Sequence, residues 1–204
     1  MFVIIDYGVG NLTSIQNMLK KAGVTAFISG DKKVIENATK ILLPGMGAFD
    51  NCMQKFEQSG LQSIIETKVF EEKTPVLGIC VGLQMFMQSS EEGVLPGLGW
   101  INGKTVRFKP DQMLDAHKIP NMGWLEIETK KPSKLLHQLE EARFYFAHSF
   151  HVQIEDTVDE LASAQYGYNF TVGIERSNIL GVQFHPEKSH RFGMQLLKNF
   201  ADNY

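Results

Sequence analysis

Only two of the 204 residues are cysteines, Cys52 and Cys80. Two thiols build no disulfide framework, and their spacing matches no zinc motif, so a reducing compartment suits the chain best. No apolar run approaches the roughly 20 residues needed to span a bilayer. The apolar N-terminal stretch stops at Ile5 before Asp6, with no basic leader and no cleavage site, which argues against a signal peptide. Charge of one sign is not concentrated either. The net charge is -3 with acids and bases interleaved, so neither a nucleic-acid surface nor a membrane surface is expected. Internal repeats, low-complexity tracts and linkers are also missing. What remains is 43% hydrophobic and 21% charged, ordinary values for a globular protein. A cytoplasmic protein with one domain over residues 1–204 is expected.

The first half of the chain alternates two patterns. The runs "FVIID", "VTAFIS", "KILLPG" and "PVLGIC" read as buried strands. Between them, "NLTSIQNMLKKAG" sets Leu12, Ile15, Met18 and Leu19 at helix spacing, and "AFDNCMQKFEQSG", "LQSIIETKVFEE" and "VGLQMFMQSS" also read as helices. Such alternation implies a parallel sheet covered on both faces. The second half is strand-like, through "GWINGKTVRFK", "MGWLEIET", "ARFYFAHSFHV", "ELASAQYG", "FTVGIE" and "ILGVQFH". A helix from about Ser189 to Phe200 closes the chain. The expected fold is α/β: an open, mostly parallel, flavodoxin-like sheet with helices on both faces and an antiparallel extension.

Three stretches carry chemistry. In "LGICVGLQMF", Cys80 ends a strand and immediately precedes a helix, between Gly78 and Gly82. Ligands of open α/β sheets bind at such strand ends, and a helix N-terminus favours thiolate over thiol. The glycines would permit a tight turn and close approach of a substrate. Alone, this stretch reads equally well as a buried structural thiol. In "GVQFHPEKS", a strand stops at Pro186 and leaves His185 at its end, with Glu187 two residues on, able to fix the imidazole tautomer and leave the other nitrogen as base. In "LLPGMGAF", the backbone of Gly45, Met46 and Gly47 follows a strand and can aim amide N–H groups at a developing oxyanion.

Together with "DYGVGNLTSI", "SSEEG", "IPNMGW" and "YFAHSF", in this order over essentially the whole chain, these stretches resemble the class I (triad) glutamine amidotransferases. Within them the resemblance is nearest to the glutaminase subunits of imidazole glycerol phosphate synthases. It implies hydrolysis of glutamine to glutamate and ammonia, with Cys80 as nucleophile, His185 as base and Glu187 orienting it. It implies an oxyanion hole from Gly45, Met46, Gly47 and Val81, and substrate contacts from Gln84, Glu92, Ser149 and Phe150. No cofactor and no metal are implied. The implied partner is a (β/α)8-barrel cyclase subunit in a heterodimer that receives the ammonia in histidine biosynthesis, with Gly10, Asn11, Asn121, Trp124, Tyr145 and Lys188 toward it.

The chain departs from that pattern at Asn121, where "PHMGW" usually carries histidine, at Leu125, where asparagine is frequent, and at Met46, where valine is usual. Two alternatives stand beside the main reading: a diverged copy that supplies ammonia to a sugar-amidating enzyme of surface polysaccharide synthesis, and a non-catalytic binding module. Rival motifs are weaker. Gly8-x-Gly10 lacks the third glycine of a dinucleotide fingerprint, Thr13 standing there, although Asp31 is spaced for a ribose contact. His148 and His151, three apart in one strand-like run, should face opposite ways, His148 into the core and His151 into solvent. Cys52 reads as a packing residue.

Overall fold

The computed structural model describes residues 1–112 and 118–204. The apolar runs of the first half form β1 (Phe2–Ile5), β2 (Ala26–Ser29), β3 (Lys40–Gly45) and β4 (Val76–Cys80). They alternate with α1 (Leu12–Lys21), α2 (Lys32–Glu36), α3 (Phe49–Ser59) and α4 (Gln62–Glu66), the last continued by a π-helical turn over Thr67–Glu71. α1 buries Ile15 and Leu19, so its apolar stripe faces the sheet as its spacing requires. The short α2 is not foreshadowed by any apolar period. It starts where the Asp31 carboxylate accepts a hydrogen bond from Lys33 N at 2.8 Å and caps the helix.

After Cys80 the chain makes only one helical turn, α5 (Val81–Gln84), where a helix over 81–90 is expected. The backbone carbonyls of Met85, Phe86 and Met87 accept hydrogen bonds from Leu98, Ile101 and Gly99 of the returning chain. Tertiary pairing thus replaces the next helical turn, and residues 89–90 become β5 (Ser89–Ser90). Then follow β6 (Gly103–Arg107), β7 (Asn121–Thr129), β8 (Arg143–His148), β9 (Phe150–Ile154), β10 (Glu160–Tyr166), β11 (Tyr168–Arg176), β12 (Ile179–Val182) and α6 (His190–Asn203). The stretch expected as one strand over 142–152 breaks at Ser149. Before it, His148 pairs with Asn121 of β7; after it, Phe150 pairs with Arg107 of β6.

The sheet runs β2-β1-β3-β4-β12-β11-β10-β7-β8, with β9, β6 and β5 branching from β11. Its members β2, β1, β3, β4 and β12 are parallel. β12 is therefore not part of the antiparallel extension, as its neighbours in sequence suggest. It crosses back beside β4, and the antiparallel strands continue from it through β11. Of the parallel strands, β1, β3, β4 and β12 are buried along almost their whole length: Val3, Ile4, Leu42, Leu77 and Leu180 are fully inside, which is why these runs show no alternation. No helix among the described residues is long and apolar enough to cross a membrane.

Candidate active site

β3, β4 and β12 lie side by side, so their C-terminal ends bring three distant sequence stretches together. Gly45 is in register with Cys80, and Ile79 with Val182. Cys80 adopts φ 55 and ψ -113, a left-handed conformation that is strained for a residue with a Cβ. The strain turns the chain from strand into helix within one residue. Close backbone packing requires both Gly82, which follows the elbow, and Gly45 on β3. A Cβ on Gly82 would lie 2.1 Å from Leu43 O, and one on Gly45 2.3 Å from Gly82 N. The elbow therefore sits directly on β3, where no side chain fits.

His185 follows β12 and is buried. Its Nδ1 donates to Glu187 Oε1 at 2.8 Å, which leaves Nε2 for Cys80, the other group that raises the ring. Burial disfavours a charged ring, but Cys80 and Glu187 outweigh it and push the imidazole up to about 10. A proton leaving Cys80 thus has a well-held acceptor.

A cavity of about 250 Å³ opens over the thiol. Ten residues singled out from the sequence line it: Met46, Gly47, Cys80, Val81, Gln84, Glu92, Ser149, Phe150, His185 and Lys188. Gly45 and Glu187 stand directly behind this wall, the first paired with Cys80 and the second with His185. Glu92 accepts from Phe49 N at 3.0 Å, at the start of α3, and burial raises its carboxyl. Gln84 is almost wholly buried; its Nε2 donates to Phe150 O and Gln183 Oε1, and its Oε1 has no hydrogen-bond partner. Cys52 is fully buried, and its Sγ donates to Met46 O at 3.5 Å, a polar contact with the 45–47 segment beyond packing. A larger cavity, about 460 Å³, lies away from the thiol beside His151 and Tyr168.

The residues expected on the partner face separate into two sets. Trp124 is 43% exposed and Met122 beside it 65%, while Tyr145 lies opposite Trp124 in the β7–β8 ladder. The Lys188 ammonium stands 5.6 Å over the Tyr145 ring, and the His190 ring stacks on Trp124. Asn11 is exposed and caps α1 by accepting from Ser14 N, and Gly10 packs on Pro44. Asn121 does not belong to that surface. It is 1% exposed, because a strand alternates faces and Met122 and Trp124 take the outer one. Its Nδ2 donates to His148 Nε2 at 3.2 Å. Leu125 likewise points inward and packs against the core.

His148 donates from Nδ1 to Phe150 O at 2.8 Å, and burial pushes its pKa down to about 3. His151 is also buried, contrary to the solvated position expected of it. The break at Ser149 cancels the alternation, so both rings pack on Phe108, with centroids at 5.2 and 4.9 Å. No group of three or more metal-ligating side chains occurs among the described residues. Two contributors gave no signal of their own in the sequence: Tyr7, whose hydroxyl donates to Pro44 O at 2.6 Å and fixes the end of β3, and Gln183, whose Nε2 donates to Cys80 Sγ at 3.7 Å.

Comparison with known proteins agrees with this geometry. The family model "Glutamine amidotransferase class-I" matches residues 3–204. The imidazole glycerol phosphate synthase subunit HisH 2 of Methanococcus maripaludis is 49% identical over 98% of this chain and 98% of its own. The subunit of the same name from Pseudomonas aeruginosa is 47% identical over 99% of both chains. In fold, the chain is similar to PurLQS from Thermotoga maritima, with TM-score 0.73 and 16% identity over 97% of this chain and 95% of that one. With a strained cysteine elbow, a buried histidine–glutamate pair and full-length relatives of this kind, the chain belongs to the class-I glutamine amidotransferase family.

Proposed function

We propose that this chain is the glutaminase subunit of an imidazole glycerol phosphate synthase. The observation that carries the chemistry is the line Cys80–His185–Glu187 at the ends of two adjacent parallel strands. The thiol proton is held on His185 Nε2, and Sγ attacks the side-chain amide carbon of glutamine. Backbone amides around Met46, Gly47 and Val81 receive the oxyanion. Collapse of the tetrahedral species expels ammonia, which takes the proton from His185. Water, deprotonated by His185, then cleaves the thioester, and glutamate leaves with Cys80 restored.

The cavity suits this substrate. Its volume is below the roughly 300–1,000 Å³ of drug-sized ligand sites, as an amino acid requires. The free Oε1 of Gln84 and the carboxylate of Glu92 are acceptors waiting for the α-ammonium group. Ser149 and the Phe150 backbone complete the polar lining. The pathway assignment draws on the names of the relatives, several of which are 46–49% identical along their full length. Ammonia then passes to a (β/α)8-barrel cyclase subunit in a heterodimer that makes imidazole glycerol phosphate and AICAR. The exposed Trp124 and Met122 and the half-buried Tyr145 beside Lys188, at the cavity mouth, support docking there. A cytoplasmic setting accords with both free thiols.

The burial of Asn121 weakens the motive for a different partner, since that substitution lies behind His148 of the cavity wall and not on the docking surface. Complementation tests the pathway. A histidine auxotroph lacking its glutaminase subunit, given this gene with its neighbouring barrel gene, should grow at low ammonium. Soluble, glutaminase-active protein without growth would move the assignment to sugar amidation.

A further inference from the structure

We infer that Gln183 is a built-in hydrogen-bond donor to the nucleophile, and that it ties occupancy of the substrate site to the state of the thiol. The inference rests on the glutaminase reading of the site. Gln183 is fully buried, one residue beyond β12, and Cys80 stands one residue beyond the Ile79–Val182 pair on the neighbouring strand. The backbone of Gln183 is pinned by donation from its N–H to Val172 O at 2.8 Å. Its Nε2 faces Cys80 Sγ at 3.7 Å.

The orientation of its amide follows from the partners. The Phe150 carbonyl accepts only, so Gln84 must present its NH2 group there, at 3.0 Å. The same Gln84 Nε2 lies 3.1 Å from Gln183, which must therefore offer Oε1. That leaves the Gln183 NH2 group for sulfur. Two amides stand in series behind the thiol, and the far one, Gln84, also lines the cavity and ends in the unpartnered Oε1. A cationic group of the substrate bound to that oxygen polarises the first amide, then the second, and strengthens the N–H donated to sulfur. The donor matters whenever sulfur is anionic: after its proton passes to His185, and again when water displaces it from the thioester.

Two variants test this. Gln183→Leu removes the amide; Gln183→Glu keeps its shape and the acceptor for Gln84 but puts an oxygen against sulfur. Alkylation of Cys80 by iodoacetamide at pH 7, followed by peptide mass spectrometry, reads the thiol without reference to glutamine. Glutamine hydrolysis reads kcat and KM. A lost hydrogen bond to a charged group implies slowing of both alkylation and kcat on the order of ten-fold, with KM within about two-fold. In the native chain, glutamate, the product, should also change the alkylation rate, and this response should vanish in Gln183→Glu. Folded variants with native alkylation and native kcat would overturn the inference, and so would a loss confined to KM. If the native chain released no ammonia while alkylation still slowed in both variants, the glutaminase reading would fail and the sulfur donor would stand.

Discussion

Cys80 sits in a backbone conformation that its own side chain disfavours, and that strain is the residue-scale signature of the site. Replacing it by alanine should abolish ammonia release from glutamine, while the complex with its barrel partner still works on added ammonium salt. Residual glutamate formation at the native rate would remove Cys80 from its role. His185 makes a prediction in pH. Its folded-state pKa, about 10, lies above the ordinary 6.5, so its charged form is favoured by folding. That stabilisation is fully present below about pH 6.5 and is lost as pH rises toward 10. Thermal unfolding followed across this window should show stability falling more steeply in the native chain than in Glu187→Gln, which lacks one of the groups that raise the imidazole. Parallel curves would mean that Glu187 contributes nothing to it. At this scale the sequence was readable where a residue type is rare or conspicuous, as Cys80 and the His-Pro-Glu run are. Gln183 was not, because a glutamine beside a strand end carries no signal until its neighbours on other strands are known.

At the level of the element, the β7–β8 ladder shows both the reach and the failure of pattern reading. Alternation was available in "NMGWLEIET" and puts Asn121 and Trp124 on opposite faces. Read as one surface unit, the "NMGW" motif hides that alternation. Asn121 instead stands opposite His148 and satisfies its Nε2, while Nδ1 holds the carbonyl that also anchors Gln84. Asn121→Leu would leave a buried imidazole nitrogen without a partner, at a cost of about 1–3 kcal/mol. It should raise KM for glutamine and lower the unfolding midpoint in urea. Affinity for the barrel subunit, measured by calorimetric titration, should stay within about two-fold. A large loss of that affinity with unchanged KM would return Asn121 to the docking face. The short α5 teaches a related point. Its sequence carries helix-forming residues through Ser90, but the carbonyls after Gln84 bond to the returning 98–101 segment, a competition that no local window contains.

Across the whole molecule, the parallel half of the sheet was legible because its buried runs are separated by periodic helices. The place of β12 was not, since strand order is set by packing between distant segments. On the outer surface, Trp124 and Met122 form an exposed apolar patch next to the Lys188–Tyr145 contact. Trp124→Ala should weaken the heterodimer by ten-fold or more if this patch is the centre of the interface; titration of the barrel subunit would show it, and native affinity would place the contact elsewhere. The crossover of β12 has a further consequence, for synthesis. Cys80 and His185 lie at the ends of neighbouring strands, yet the segments that carry them are about a hundred positions apart, 103 between Cys80 and Gln183. Chains emerge at about 5–20 residues per second, so for several seconds a growing chain holds Cys80 without its base, and one side of β4 without its neighbour. A half-made chain therefore hydrolyses no glutamine. It also exposes an unpaired strand edge, open to association with other nascent chains until the last strand is inserted.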